Sequence, residues 1–355
     1  MRTGSKPPTA AEVAALAGVS HQTVSRVLNG HPSVAPATRA KVDAAIAALQ
    51  YRRNSAARAL ATGTSRVVGV LVSSTTLSGP ANSLLAIEQT ARDQGYWVSM
   101  ASLRDQTPAE VAAVLSQFAD QQVAGVIAIA QTQVALDAAL ATPSDLPLVL
   151  LTSGEVPPDR PAVDIDQRQG TTAVMDLLIR LGHRHIAHLA GPADDLHAQV
   201  RLATWQAELA RAGGAPEVCL PGDWSAASGY RATRALLDRP DRPSAIFAAN
   251  DRMALGALRA LHEAGWTVPG DCSVVGFDDL EGSDCAVPPL TTVRQDHTSL
   301  GVAAMGLLAE ALSGAPARQR RLTPALVVRA STGPAQVQPD RTETGGGRRR
   351  PAGRH

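Results

Sequence analysis

The chain has 355 residues, 45% of them hydrophobic, enough for two or three domains because a single core stops growing near roughly 250–300 residues. Its formal charge of +1 hides a polarity: residues 1–66 carry nine basic side chains against two acidic ones, the middle is acidic, and the tail from 335 is basic again. A basic head on an acidic body suggests polyanion binding at one end, while the lack of an apolar run near ~20 residues or of a signal-like start argues against membrane and secreted classes and for a cytoplasmic protein.

The first element is announced by Thr9-Ala10-Ala11-Glu12, a capping box, and is closed by Gly18. Ser20 caps a second helix, in which Val24, Val27 and Leu28 fall three and four apart and leave His21, Gln22, Ser25 and Arg26 facing outward. Two short helices joined by a tight glycine turn place the second in a DNA major groove. Gln pairs bidentately with adenine and Arg with guanine, so Gln22 and Arg26 are the base readers, with His21 a weaker contact. A third helix, with Pro36 in its first turn and running through Ala37–Gln50, packs Val42, Ile46 and Leu49 onto the other two.

Glu12–Ser20, Thr23–Asn29 and Thr38-Arg39 together resemble, without gaps, the head of the LacI/GalR family of bacterial repressors. The resemblance implies DNA contacts from Ser20, His21, Gln22, Thr23, Ser25, Arg26 and Asn29. It also implies that Asn54–Ala61 is a hinge that becomes helical on DNA, with Asn54 and Arg58 at the backbone and Leu60 wedged into the minor groove. An eight-residue helix is marginal alone and would need a partner hinge and the groove to become ordered. Family members have proline before this hinge where the present chain has Arg53, which exchanges a stiffened entry for an added phosphate contact.

From Arg66 the pattern changes to short apolar runs alternating with helical stretches: Val67–Val72, Trp97–Met100, Gly125–Ala130, Leu148–Leu151, Ile186–Ala190, Ala245–Ala249 and Cys272–Phe277. Such runs predict parallel strands in βα units. Ligands of doubly wound sheets bind beyond the carboxyl ends of the strands, and there stand Ser73-Ser74, Gly191-Pro192, Asn250-Asp251 and Asp278-Asp279. With Arg201, Trp205, Trp224 and Gln295 they offer donors, acceptors and aromatic faces suited to a sugar. No phosphate-cradling glycine loop appears, and no cofactor is expected.

The family resemblance extends through Gly222–Ala226, Ala249–Ala257, Val274–Asp279 and Pro288–Thr292. It implies a two-lobed, periplasmic-binding-protein-like ligand module with two doubly wound parallel sheets behind an all-α helix-turn-helix head. The expected division is a DNA-binding domain at 1–53, a hinge and linker at 54–65, one lobe at 66–164 plus 293–321, the other at 165–292 plus 322–334, and a disordered basic tail at 335–355. A sugar-responsive member of the family places Arg201, Trp224, Asn250, Asp278 and Gln295 at ligand-contacting positions, and Leu77 and Pro80 on the opposing apolar wall. Thr152, Ile129, His297, Asp195 and His197 depart from that member, so a galactoside is one option rather than an assignment. Arg104 competes with Leu103 for a further pocket position.

Cys219, Cys272 and Cys285 form no paired motif and read as small buried hydrophobes. His183-Arg184-His185 and His188 invite a metal reading, but 183 and 185 share a strand face that 188 does not, and no carboxylate completes a site. No GxSxG elbow or activated cysteine is present, so no catalytic residue is expected and an enzyme has little support. The tail lacks leucine heptads and points to a dimer. The expected partners are therefore a pseudo-palindromic double-stranded operator, a sugar effector and a second copy of the chain. Release by the sugar is the favoured direction, and corepression is its inverse.

Overall fold

The computed structural model describes residues 8–28, 30–51, 65–73, 78–214 and 218–336. The chain forms two compact units, 1–65 and 66–355.

In the first unit three helices enclose a small core: α1 (Ala10–Ala17), α2 (His21–Leu28) and α3 (Pro36–Leu49). Thr9 caps α1 through the full reciprocal box with Glu12, and Gly18 ends it in the left-handed region at φ 66°, where a side chain would be strained. Ser20 Oγ accepts from Thr23 N at 3.1 Å at the start of α2. Val13, Val24 and Val42 are fully buried and meet at the centre, with Val27 and Ala45 beside them. Ile46 and Leu49 are only partly buried, since Val42 and Ala45 take the inner positions of α3.

The second unit is α/β. One sheet holds six strands in the order β11-β5-β4-β3-β1-β2, all parallel: β1 (Val67–Val72), β2 (Trp97–Ser102), β3 (Gly125–Ile129), β4 (Leu148–Leu151), β5 (Ala162–Ile165) and β11 (Gln319–Leu322). The other holds four parallel strands in the order β7-β6-β8-β9: β6 (Ile186–Ala190), β7 (Cys219–Pro221), β8 (Ala245–Ala248) and β9 (Ser273–Val275). Residues on alternate positions of β1 enter cores on opposite faces, Val68, Val70 and Val72 on one and Leu71 on the other. That is why the strands read as continuous apolar runs. A short antiparallel pair, β10 (Thr292–Arg294) with β12 (Ala325–Val327), lies where the chain passes between the lobes.

The helices that bear on the cleft are α4 (Ser78–Asp93), α7 (Gln167–Arg180), α8 (Leu196–Arg211), α9 (Ala226–Leu237), α10 (Asp251–Glu263) and α11 (His297–Leu312). α5 (Pro108–Asp120) and α6 (Gln133–Ala141) flank the larger sheet. No helix among the described residues is long and apolar enough to cross a membrane.

Two sequence expectations need correction. Cys272 is buried, but Cys219 and Cys285 are exposed: Cys219 opens the edge strand β7, and Cys285 sits in the irregular segment after β9. His183 and His185 precede β6 instead of sharing one of its faces. His183 is tied to Ser244 Oγ at 2.9 Å, Ser273 Oγ at 3.1 Å and Gly333 O at 3.0 Å, while His188 bonds Phe247 O at 2.9 Å and stacks between Trp205 and Phe247. Among the described residues no group of three or more His, Cys, Asp or Glu is placed to hold a metal. The tail beyond Gln336 lies outside the described residues, and just before it Ala335 N donates to Leu181 O at 2.8 Å.

Candidate functional site

On α2 the inner positions build the core and the outer ones face away from it. His21, Gln22 and Arg26 are exposed, Thr23 and Ser25 half-buried. The Ser20 and Thr23 hydroxyls lie 2.9 Å apart and serve the start of the helix. Arg39, which in sequence is one basic residue among nine, braces the segment after α2 by donating to His31 O at 3.0 Å and Val27 O at 3.5 Å. Asn29, Asn54, Arg58 and Leu60 lie outside the described residues.

Between the two lobes of the second unit lies a cavity of about 640 Å³, its mouth included. Pro80, Arg201, Trp224, Asn250, Asp278 and Gln295 all line it; Leu77 lies outside the described residues. Four departures from the family member, Ile129, Asp195, His197 and His297, line it as well. Thr152 is not among the lining residues; it is buried and its Oγ1 accepts from Gly154 N at 3.1 Å. Arg104 is exposed, because Leu103 takes the inward position and is buried, so Arg104 gives the cavity no guanidinium.

Arg201 organises one wall. It projects from α8 with its guanidinium 3.8 Å above the Phe277 ring and 5.6 Å from the indole of Trp224. Nε and Nη2 donate to Gln167 Oε1 at 3.0 and 2.7 Å, and Nη1 donates to Ala249 O. Of its five N–H groups, two remain for Asp278, 3.7 Å away, and for a ligand. The chain of amides continues from Gln167 Nε2 to Gln295 Oε1 at 2.9 Å and from Gln295 Nε2 to Asp278 Oδ1 at 2.7 Å. Burial raises the Asp278 carboxyl above its ordinary range, and the charge of Arg201 and the Gln295 bond pull it back only in part.

The backbone around this wall is held in uncommon conformations. Trp224 has φ 68° and Asp278 φ 117°, left-handed values that a non-glycine residue keeps only where its surroundings impose them. The indole of Trp224 lies directly against Gly191, where a Cβ would come within 2.4 Å of the ring. Asn250 caps α10 by accepting from Met253 N at 2.9 Å and donates to Trp224 O at 3.0 Å, so it fixes the backbone at Trp224 while lining the cavity. Asp251 accepts from Leu280 N, Ser283 Oγ and Thr292 Oγ1 and ties α10 to β10.

The facing wall is more polar than the expected apolar one. His197, on α8 with Arg201, reaches across to Asp164 of β5, its Nε2 3.4 Å from Asp164 Oδ1, and Asp164 also accepts from Ser153 Oγ. Burial pulls the His197 pKa down, but the hydrogen bond and charge of Asp164, with Asp195 behind it, outweigh burial and leave it raised. His297 is pushed down to about 4, by burial first and then by the charge of His197. Nearby the lobes are joined by Leu196 N donating to Gln131 O at 2.8 Å. Sequence reasoning missed Gln131, Asp164, Gln167 and Ser83. The strand-end rule could have found Gln131, which follows β3 by two residues; Asp164 stands inside a strand, where that rule does not look.

The head matches the model of bacterial regulatory proteins of the lacI family over residues 9–54, and residues 175–332 match that of a periplasmic binding protein-like domain. The chain is 37% identical over 331 residues to the lactose operon repressor of Escherichia coli K12, covering 92% of this chain and 91% of that one. It is 36% identical over 333 residues to the transcriptional regulator CelR of Thermobifida fusca, covering 89% and 95%. In structure it resembles the lac repressor dimer bound to operator and an anti-inducer, with a TM-score of 0.85 at 37% identity over 92% of this chain and 100% of that one. It also resembles a CelR–cellobiose complex, with a TM-score of 0.67 at 34% identity over 91% and 99%. Given the matched head and relatives this similar over some nine-tenths of its length, the chain belongs to the lacI family of bacterial regulatory proteins and is a DNA-binding transcriptional regulator.

Proposed function

We propose that the protein is a cytoplasmic repressor whose homodimer holds a pseudo-palindromic double-stranded operator and lets go when a small sugar occupies the interlobe cavity. The observation that carries this reading is the cavity wall itself. The Trp224 indole lines the cavity together with Arg201, Asn250 and Asp278, which is what the C–H face and the hydroxyl edge of a sugar ring need. The exposed Gln22 and Arg26 of α2 supply the base readers, and Ser20, His21, Thr23, Ser25 and Asn29 the surrounding contacts. Asn54, Arg58 and Leu60 belong to a hinge that orders on DNA. A sugar bound by both lobes would shift the module's closed population and, through the paired hinges, the grip on DNA, by a coupling of roughly 1–3 kcal/mol.

A homodimer is supported by the two edges of the larger sheet. Strand β11 closes one edge with Gln319, Arg320 and Arg321, the charged guard of an unpaired edge. Strand β2 closes the other with Trp97 71% and Met100 50% exposed, an apolar strip suited to a second copy. The cavity binds and is assigned no chemistry, so the protein is read as a switch and not an enzyme.

The test is operator selection with purified protein, followed by a sugar panel scored for loss of DNA binding. Enrichment of a palindromic site that one sugar releases is the expected result. Failure to bind any duplex above non-specific affinity at physiological salt overturns the proposal.

A further inference from the structure

The two lobes of the module touch at a seam. Part of it is backbone: Leu196 N donates to Gln131 O at 2.8 Å, within an antiparallel bridge between Thr132 and Asp195, and such a pairing is indifferent to pH. The side chains one residue further on are not. His197, in the first turn of α8, holds Nε2 3.4 Å from Oδ1 of Asp164 in β5, while Ser153 Oγ donates to the other carboxylate oxygen, Oδ2, and keeps the carboxylate oriented. Strand β5 belongs to the six-stranded sheet, and α8 follows β6 of the four-stranded one, so the pair spans the lobes. With side chains only 16% and 10% exposed, it is screened by little water, and its attraction is strongest when the lobes are together.

We propose that His197 and Asp164 are a proton-operated latch between the lobes, paired as imidazolium and carboxylate when the module closes and parted when it opens. Histidine is the side chain that changes charge within the physiological range. In the closed module burial works against the imidazolium, but the hydrogen bond and charge of Asp164, then the charge of Asp195 at the cap of α8, leave its pKa above the ordinary 6.5. The other charged groups around it are few. Arg201 of the same helix opposes protonation, and Asp278 after β9 is engaged with Arg201 and Gln295. His297 of α11 is neutral at pH 7, its pKa lowered to about 4, and Arg252 of α10 lines the same cavity. Opening returns the imidazole to water and to its ordinary value, so closure takes up a proton. The latch therefore contributes fully below pH 6.5 and is lost as pH rises through the closed-state pKa. Above that window the closed module would bury the Asp164 charge without its counter-charge, which is costly. Acid thus favours the state that the release mechanism proposed above assigns to letting go of DNA, and only this last step rests on that mechanism.

Two measurements on the full chain, with neither sugar nor DNA present, test the latch. In a histidine NMR titration the resonance missing from His197→Gln should titrate above pH 6.5, and Asp164→Asn should move it down. Acrylamide, a neutral quencher, reads closure: Trp224 lines the cavity at 9% exposure and opens to solvent when the lobes part. Tryptophan quenching should therefore rise from about pH 6 to about pH 8.5 in the wild type, and Asp164→Asn and His197→Gln should abolish that rise. Thermal unfolding confirms that the variants are folded; Asp164→Ser serves if the asparagine variant is not. A His197 pKa at or below 6.5, wild-type quenching that ignores pH, or variants that keep the full rise overturns the latch. None of these results bears on the sugar reading, which stands or falls on the operator and sugar panels.

Discussion

In the head, the side chains assigned to DNA stand outside the core: Val24 and Val27 of α2 are buried with Val13 and Val42, while Gln22 and Arg26 are exposed. In the ligand module the reverse holds. Arg201, Asn250 and Asp278 line the cavity and at the same time carry hydrogen bonds that fix Gln167, Trp224 and Gln295. Function and stability are therefore separable in the head and coupled in the module. A surface can be rewritten without touching its core, but a buried polar wall cannot lose one member without stranding the others.

The sharpest break of that contrast is Arg201→Leu. It would leave the Gln167 oxygen without its donor and Asp278 without its counter-charge, held by the Gln295 bond alone, and losing one partner of a buried pair costs about 3–5 kcal/mol. All four tryptophans, Trp97, Trp205, Trp224 and Trp266, lie in the module, so fluorescence-monitored urea unfolding reads that unit alone. The midpoint should fall steeply and effector binding should vanish. A variant that unfolds within about 0.5 kcal/mol of wild type would show that the wall is not part of what holds the module together.

The module should also carry a pH dependence of its own. His188 is fully buried, with Nδ1 bonded to Phe247 O and Nε2 without a partner, and burial lowers its pKa from 6.5 to about 3. The unfolded chain takes up this proton below pH 6.5, whereas the folded one resists until about pH 3. The stabilisation is thus complete above pH 6.5 and lost progressively as pH falls toward 3. Tryptophan-monitored stability measured from pH 7.5 to 4 should decline along this limb, and His188→Leu should flatten it. An unchanged slope in the variant would assign the decline to other groups.

How much could be read beforehand follows the same division. The head is a contiguous motif in which cap, turn and inner-face spacing sit within twenty residues, so Thr9, Gly18, Val24 and Val27 announce their roles in order. The cavity is assembled from residues 79 to 300 and was legible only where topology restricts the answer, at strand ends such as Asn250 and Asp278. Gln167 gave no signal because its role is to hold Arg201 across 34 residues of sequence. Strands β5, β7 and β10–β12 escaped notice because each is only three or four residues long, and Gln-Arg-Arg-Leu of β11 takes its strand state from its paired neighbour, not from its own hydropathy. The facing wall was expected to be apolar from Leu77 and Pro80; its polar character came from side chains that only the fold brings together.

In the head the separation predicts a selective loss. Arg26→Ala removes a guanidinium from the exposed face of α2 and should cost about 1–3 kcal/mol of discrimination at one operator base pair, read by comparing selected sites with single-base variants. Module stability and sugar affinity should stay as in wild type. A uniform weakening across all base pairs would instead make Arg26 a phosphate contact.

The smallest effect tests whether the head's own framework stands apart from its reading surface. Thr9 N donates to Glu12 Oε2 at 2.6 Å, and Thr9 Oγ1 both donates to that carboxylate at 3.0 Å and accepts from Glu12 N at 3.3 Å. Thr9→Ala removes the hydroxyl's two bonds and should cost about 1 kcal/mol, a factor of roughly five in the local opening equilibrium. The amides of Glu12 and Val13 should exchange faster by about that factor, while urea unfolding followed by tryptophan stays fixed. Base preference should not change either, because the box holds the start of α1 while Gln22 and Arg26 stand on α2. A shift in preference would mean that the register of α1 is transmitted to α2 through Val13 and Val24, and the head would then share the coupling that marks the module.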